Sequence, residues 1–125
     1  MDQKFRPVVL VVDDEPLALT NMTETLKAAG YEVWQAHHAE EALRTIAAQR
    51  TPISALVTDV EMPGEMGGCE LAWRVAATSS RIALIVVSGK DAVRCGDLPP
   101  NTLFLPKPVD GKRLVNEMRR RISRR

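Results

Sequence analysis

Five polar side chains sit where short apolar runs stop. Asp13 and Asp14 follow residues 8–12, Asp59 follows residues 55–58, Ser88 follows residues 82–87, and Lys107 comes just after residues 103–105. A β-branched run that ends on one polar residue and then on turn residues reads as a buried strand delivering that side chain to a sheet rim. Turn residues do follow: Val60-Glu61-Met62-Pro63-Gly64 after Asp59, Gly89 after Ser88, and prolines on both sides of Lys107. Ligands of open α/β sheets bind outside the carboxyl ends of the strands, so such groups face a shared crevice. If the three aspartates meet there, they repel one another unless a cation sits among them. Whether they meet depends on the elements that carry them.

Residues 8–12 are apolar throughout, as in a central parallel strand covered on both faces. Pro16 stands where the first turn of a helix tolerates proline, and Leu19, Met22, Leu26 and Ala29 recur at helical spacing before Gly30 closes the segment. Residues 31–36 form a more mixed strand, suited to an edge. Residues 39–50 and 69–78 read as helices. The last helix starts near Asp110 and puts Leu114, Val115, Met118 and Ile122 on one stripe. Between Ser88 and residue 103, Gly89, Gly96, Pro99 and Pro100 leave at most one turn, at residues 91–95. The predicted order is therefore βαβαβαβ, a short helix, then βα. Right-handed crossovers turn that order into a doubly wound five-stranded parallel sheet with a shortened fourth helix. Strand order 2-1-3-4-5 is the smallest common solution, and it sets the ends of strands 1 and 3 side by side. Asp13, Asp14 and Asp59 then converge. A hard divalent ion fits them, since Mg²⁺ prefers oxygens and often binds one or two carboxylates plus a substrate phosphate. The sequence offers no His/Cys cluster for zinc, and the adjacent His37 and His38 read as a solvated turn pair.

One domain over residues 1–125, with residues 1–6 as a flexible arm, suits a chain of 125 residues. No apolar run approaches the roughly 18 residues of a membrane span, and the start lacks a signal peptide, so a cytoplasmic location is expected. Cys69 and Cys95 are too few for a disulfide framework and are expected as free buried thiols. Net charge is +1, but residues 110–125 carry seven basic against two acidic groups, leaving 10 basic and 14 acidic over the rest. That balance argues against a nucleic-acid binder, and the terminal arginines read as the solvated face of a helix.

Taken together, the acidic pair Asp13-Asp14, Asp59 with Met62-Pro63-Gly64 behind it, Ser88-Gly89 and Lys107-Pro108 resemble the receiver domain of a two-component response regulator, from about Val8 to Ile122. The resemblance implies a flavodoxin-like fold in which Asp59 accepts a phosphoryl group from a histidine kinase or histidine phosphotransferase. It implies that Asp13, Asp14, Asp59 and the main-chain carbonyl of Glu61 serve the Mg²⁺ site, that Ser88 is the switch hydroxyl, and that Lys107 contacts a phosphoryl oxygen. It makes Phe104 the switch aromatic and the Lys107–Pro108 bond cis. Independent chemistry agrees. Phosphoryl transfer works by positioning and by neutralising charge on three equatorial oxygens, for which a cation, an ammonium and a hydroxyl suffice. Such a domain catalyses only its own modification and is not an enzyme with an outside substrate.

The chain departs from the family pattern in having Gly67 where an aspartate is common before Gly68. The alternative reading is a pseudo-receiver, a protein-binding module that works without phosphorylation. Glu61 and Lys90, each two residues past a site residue, are expected to overhang the pocket mouth and to shield the acyl phosphate from water. The irregular stretch before residue 103 predicts a monomer or weak dimer, with an unidentified downstream protein docking near the first helix or the last strand and helix.

Overall fold

The computed structural model describes residues 6–89 and 96–122. The elements run β1 (Val8–Val12), α1 (Pro16–Ala28), β2 (Glu32–Ala36), α2 (Ala39–Ala48), β3 (Ala55–Asp59), α3 (Gly68–Ala76), β4 (Ala83–Ser88), β5 (Leu103–Pro106) and α4 (Gly111–Ile122). All strands are parallel, in one sheet of order β2-β1-β3-β4-β5. This is the flavodoxin-like arrangement that the sequence predicts.

Every β1 side chain is buried, and strand alternation divides them between two cores. Val9 and Val11 join Leu19, Met22 and Leu26 of α1 and Leu114 and Met118 of α4. Val8, Leu10 and Val12 face Ala39 and Ala42 of α2 and Leu71 and Val75 of α3 on the other side. Leu56 and Val57 of β3 divide the same way. Continuous apolar strands are thus the requirement of a sheet covered on both faces, and register errors that would expose them are heavily disfavoured.

Local chemistry sets the helix ends. Gly30, at φ +102°, closes α1 in a conformation costly for any residue with a Cβ; its amide donates to the Lys27 carbonyl, and that of Tyr31 to Leu26. Asp110 caps α4 by accepting from the amides of Lys112 and Arg113, at 3.0 and 3.4 Å. His38 caps α2 through Nδ1, which accepts from the Glu41 amide at 3.1 Å. The histidine pair is therefore more than a solvated turn: His37 also pairs with Glu41, at 3.0 Å.

Two expectations need comment. Residues 96–102 contain no helix, and the single turn read at residues 91–95 lies outside the described residues. Cys69 is disulfide-bonded, which corrects the expectation of a free buried thiol there. Cysteine number excludes a multi-bridge framework, but two cysteines suffice for one bond. Cys95 lies outside the described residues.

The fold makes one energetic prediction at its centre. Leu56, fully buried on a middle strand, touches α2 and α3 residues that cannot close onto a void without moving the sheet. Leu56→Ala should cost about 2–5 kcal/mol, read as a lower urea midpoint with an unchanged slope.

Candidate functional site

The parallel sheet brings the five polar groups together because all its strands end on one side. The Asp13 amide continues the β1–β2 ladder one step past the strand, donating to the Ala36 carbonyl at 3.1 Å. Asp13 is fully buried there, while Asp14 is exposed with a carboxylate oxygen still within reach of the same pocket. Asp59 closes β3 in register with Val87. Past β5, the Lys107 amide donates to the Ser88 carbonyl at 2.9 Å, which ties the lysine to the serine's strand. The Lys107–Pro108 bond is cis, as the resemblance implies.

Ligand oxygens of Asp13, Asp14 and Asp59 lie within 4.8 Å of one another. Lys107 Nζ stands 2.9 Å from Asp13 Oδ2, 3.4 Å from Asp59 Oδ2 and 3.9 Å from Glu15 Oε1. Burial pushes the Asp59 carboxyl above the usual range; the Lys107 charge pulls against this, while Asp13 adds to it. For Lys107, burial alone would lower the pKa, but close contact with Asp13 and Asp59 and their negative charges outweigh it and raise the value. Asp13 Oδ2 is buried, and despite its contact with the ammonium it makes no well-directed hydrogen bond. A buried carboxylate oxygen with spare acceptor capacity, in an all-oxygen donor set, suits a hard divalent cation such as Mg²⁺.

The structure places those further predicted residues that lie among the described ones. Ser88 is buried at the end of β4, opposite Pro106. Phe104 is half-buried on β5, in a small cluster with Val60, Ala72, Val86, Cys69 and Leu98. Glu61 is exposed, and its amide donates to the Asp59 carboxylate. Lys90 lies outside the described residues, and with it the Glu61–Lys90 pair.

Two site residues escaped the sequence reading. Glu15 follows the acidic pair, reaches toward Lys107, and through its amide holds Asp13 Oδ1 at 2.9 Å; a third acid in the run was the available signal. Gly68, the first residue of α3, packs on the end of β3 so closely that a Cβ there would overlap the Asp59 carbonyl. Its amide donates to the Val60 carbonyl at 2.9 Å. Nothing local in the sequence marks that approach, which exists only once α3 lies across β3. Beside Lys107 opens a groove of about 370 Å³ between α1 and the start of α4, with Leu17 largely exposed at its edge.

The model of the response regulator receiver domain matches residues 9–119, and the chain belongs to that family. It is 34% identical over 110 residues to a response regulator receiver protein of Anaeromyxobacter, covering 86% of this chain and 45% of that one. It is 32% identical over 120 residues to the sensor kinase CckA of Brucella abortus, covering 93% of this chain and 12% of the kinase. This chain thus spans less than half the length of these curated relatives. A crystal structure of a response regulator receiver protein from Sinorhizobium medicae superposes with a TM-score of 0.88 over 94% of this chain and 95% of that one. At 21% identity, that likeness concerns the fold.

Two outcomes follow. Gly68→Ala should cost about 1–3 kcal/mol by forcing α3 off β3, and it should shift the Asp59 and Val60 amide resonances more than those of β2. The raised Asp59 pKa means that, without divalent cations, ionised Asp59 opposes folding at neutral pH. Relief is complete below the unfolded-state pKa near 4 and is lost as pH rises through the folded value. Asp59→Asn should therefore raise the thermal midpoint at pH 7 and lose that advantage as pH falls toward 4, as scanning calorimetry without metal would record.

Proposed function

We propose that this domain is a phosphoryl-accepting switch of a two-component phosphorelay, with Asp59 as the acceptor. The observation that carries this reading is the buried Asp59 carboxylate facing Lys107 Nζ at 3.4 Å, beside two further carboxylates. An Asp59 oxygen attacks the phosphorus of a phosphohistidine on a kinase or phosphotransferase. The new O–P bond forms as the P–N bond breaks, and the departing imidazole takes up a proton. Lys107 neutralises one equatorial oxygen, and the Glu61 amide orients the attacking carboxylate. Asp13, Asp14, Asp59 and the Glu61 carbonyl would hold Mg²⁺, which supplies charge neutralisation on the phosphoryl oxygens.

Once attached, the phosphoryl group brings about −1.5 to −2 charge and strong acceptor oxygens to the strand ends. Ser88 donates its hydroxyl to one of them, and movement of Ser88 draws Phe104 with it on the neighbouring strand. That displacement changes the surface offered to a downstream protein. The half-apolar groove beside Lys107, with Leu17 exposed next to the route a phosphohistidine must take, suits docking of the donor protein. The unit acts as a monomer or weak dimer.

Intact mass after incubation with acetyl phosphate and Mg²⁺ tests the proposal. One phosphoryl mass should be gained, and it should be absent with EDTA or in Asp59→Asn. No adduct on the wild-type chain would instead support a phosphorylation-independent binding module. Ser88→Ala should still take the phosphoryl group but show much smaller amide shifts around Phe104. Equal shifts in both proteins would remove Ser88 from the switch.

A further inference from the structure

The opposite end of the sheet holds a second cavity, of about 480 Å³, at the amino ends of β4 and β5. Arg81, in the turn before β4, lines it together with Arg120 and Arg121 from the last turn of α4. Among the described residues, these three guanidinium groups meet one carboxylate, that of Glu117. Arg120 Nη1 lies 3.3 Å from both oxygens of Glu117, and Arg121 Nε lies 3.5 Å from Glu117 Oε1. Arg121 is engaged further, its Nη1 donating to the Asn101 carbonyl at 2.8 Å. That bond pins the turn before β5 to the end of α4. The Arg81 amide binds the Ser79 hydroxyl, but its guanidinium has no partner among the described residues.

Basic residues commonly finish helices, where they offset the negative end of the helix dipole. That explains why α4 ends in arginines. It does not explain Arg81, which arrives from a different element, or the concavity between them. Guanidinium forks match phosphate oxygens in pairs, so those of Arg81 and Arg120 at one cavity favour a phosphate group over a simple halide. Ile82 and Pro100 add apolar wall to the same cavity, and its volume falls within the roughly 300–1,000 Å³ of small-molecule sites. The acidic balance of the first 109 residues works against an extended polyanion such as nucleic acid.

We propose that this cavity binds a phosphate monoester of nucleotide size, its phosphate on Arg81 and Arg120 and its organic body against Ile82 and Pro100. Arg121 holds the turn that forms one wall. The site is separate from the chemistry at Asp59, at the other end of β4.

Titration of the full chain with AMP, followed by amide and arginine side-chain NMR shifts, tests the proposal. EDTA in the buffer keeps the carboxylate pocket from recruiting phosphate through a metal. Shifts should saturate and centre on Arg81, Ile82, Asn101 and Arg120, and adenosine should produce none of them. Arg81→Gln and Arg120→Gln should each weaken AMP by about tenfold, near 1.4 kcal/mol. Both variants should keep the wild-type thermal midpoint and label normally with acetyl phosphate, so that lost binding is not lost folding. Shifts as large with adenosine, shifts that never saturate and spread to Lys112 and Arg113, or unchanged affinity in both variants would overturn the site.

Discussion

One ammonium holds an otherwise repulsive cluster together. Lys107 Nζ touches Asp13 and Asp59 and approaches Glu15, and the oxygens of Asp13, Asp14 and Asp59 share a volume less than 5 Å across. Two unit charges 4 Å apart interact by about 1 kcal/mol in water but about 4 at the effective dielectric of a protein surface. Asp13 is fully buried and Asp59 nearly so, which places this cluster toward the stronger end. A single positive charge among three negative ones does not balance them. The imbalance makes the cluster suited to a further cation, while burial, with Asp13 beside it, holds the Asp59 carboxyl above its ordinary range.

The rest of the fold serves that arrangement. A parallel sheet gathers the ends of its strands on one side, and order 2-1-3-4-5 makes β1 and β3 neighbours, so their acids meet. The β4–β5 pairing then fixes Lys107 against Ser88. Both sheet faces are sealed by helices, so the cluster sits at the mouth of a dry interior and not on an open surface. Gly68 lets α3 begin directly on the carbonyl of Asp59, which keeps β3 from drifting outward.

Much of this was legible in the sequence, because the signals were local. Apolar runs ending on Asp13, Asp59, Ser88 and Lys107 mark strands and site together, and the strand order follows from handedness once helices alternate with strands. What stayed hidden depends on packing between distant segments. Glu15 lay one residue past a recognised pair, yet its approach to Lys107 needs the segment after β5 to reach back across the strand ends to β1. The close contact of Gly68 with Asp59 is a tertiary fact with no local signature. His38 was read by its solvent exposure, whereas its ring is used as a helix cap. Cys69 was judged by counting cysteines, and a count does not measure whether two sulfurs can meet. The cavity lined by Arg81, Arg120 and Arg121 joins a turn to a helix that is some 40 residues away in sequence, so the basic run of α4 read alone looked like a solvated face.

The central claim is that the acids of the strand ends form one cation-dependent pocket. Thermal unfolding against Mg²⁺ concentration, with NaCl holding ionic strength constant, measures it most directly. A ligand that binds only the folded chain stabilises it by RT ln(1 + [L]/Kd), about 2.7 kcal/mol at a hundredfold excess over Kd. The wild-type midpoint should climb steadily with the logarithm of Mg²⁺, and the slope should collapse in Asp14→Asn and Asp59→Asn. A midpoint indifferent to Mg²⁺, or one that climbs equally in all three proteins, would contradict the account.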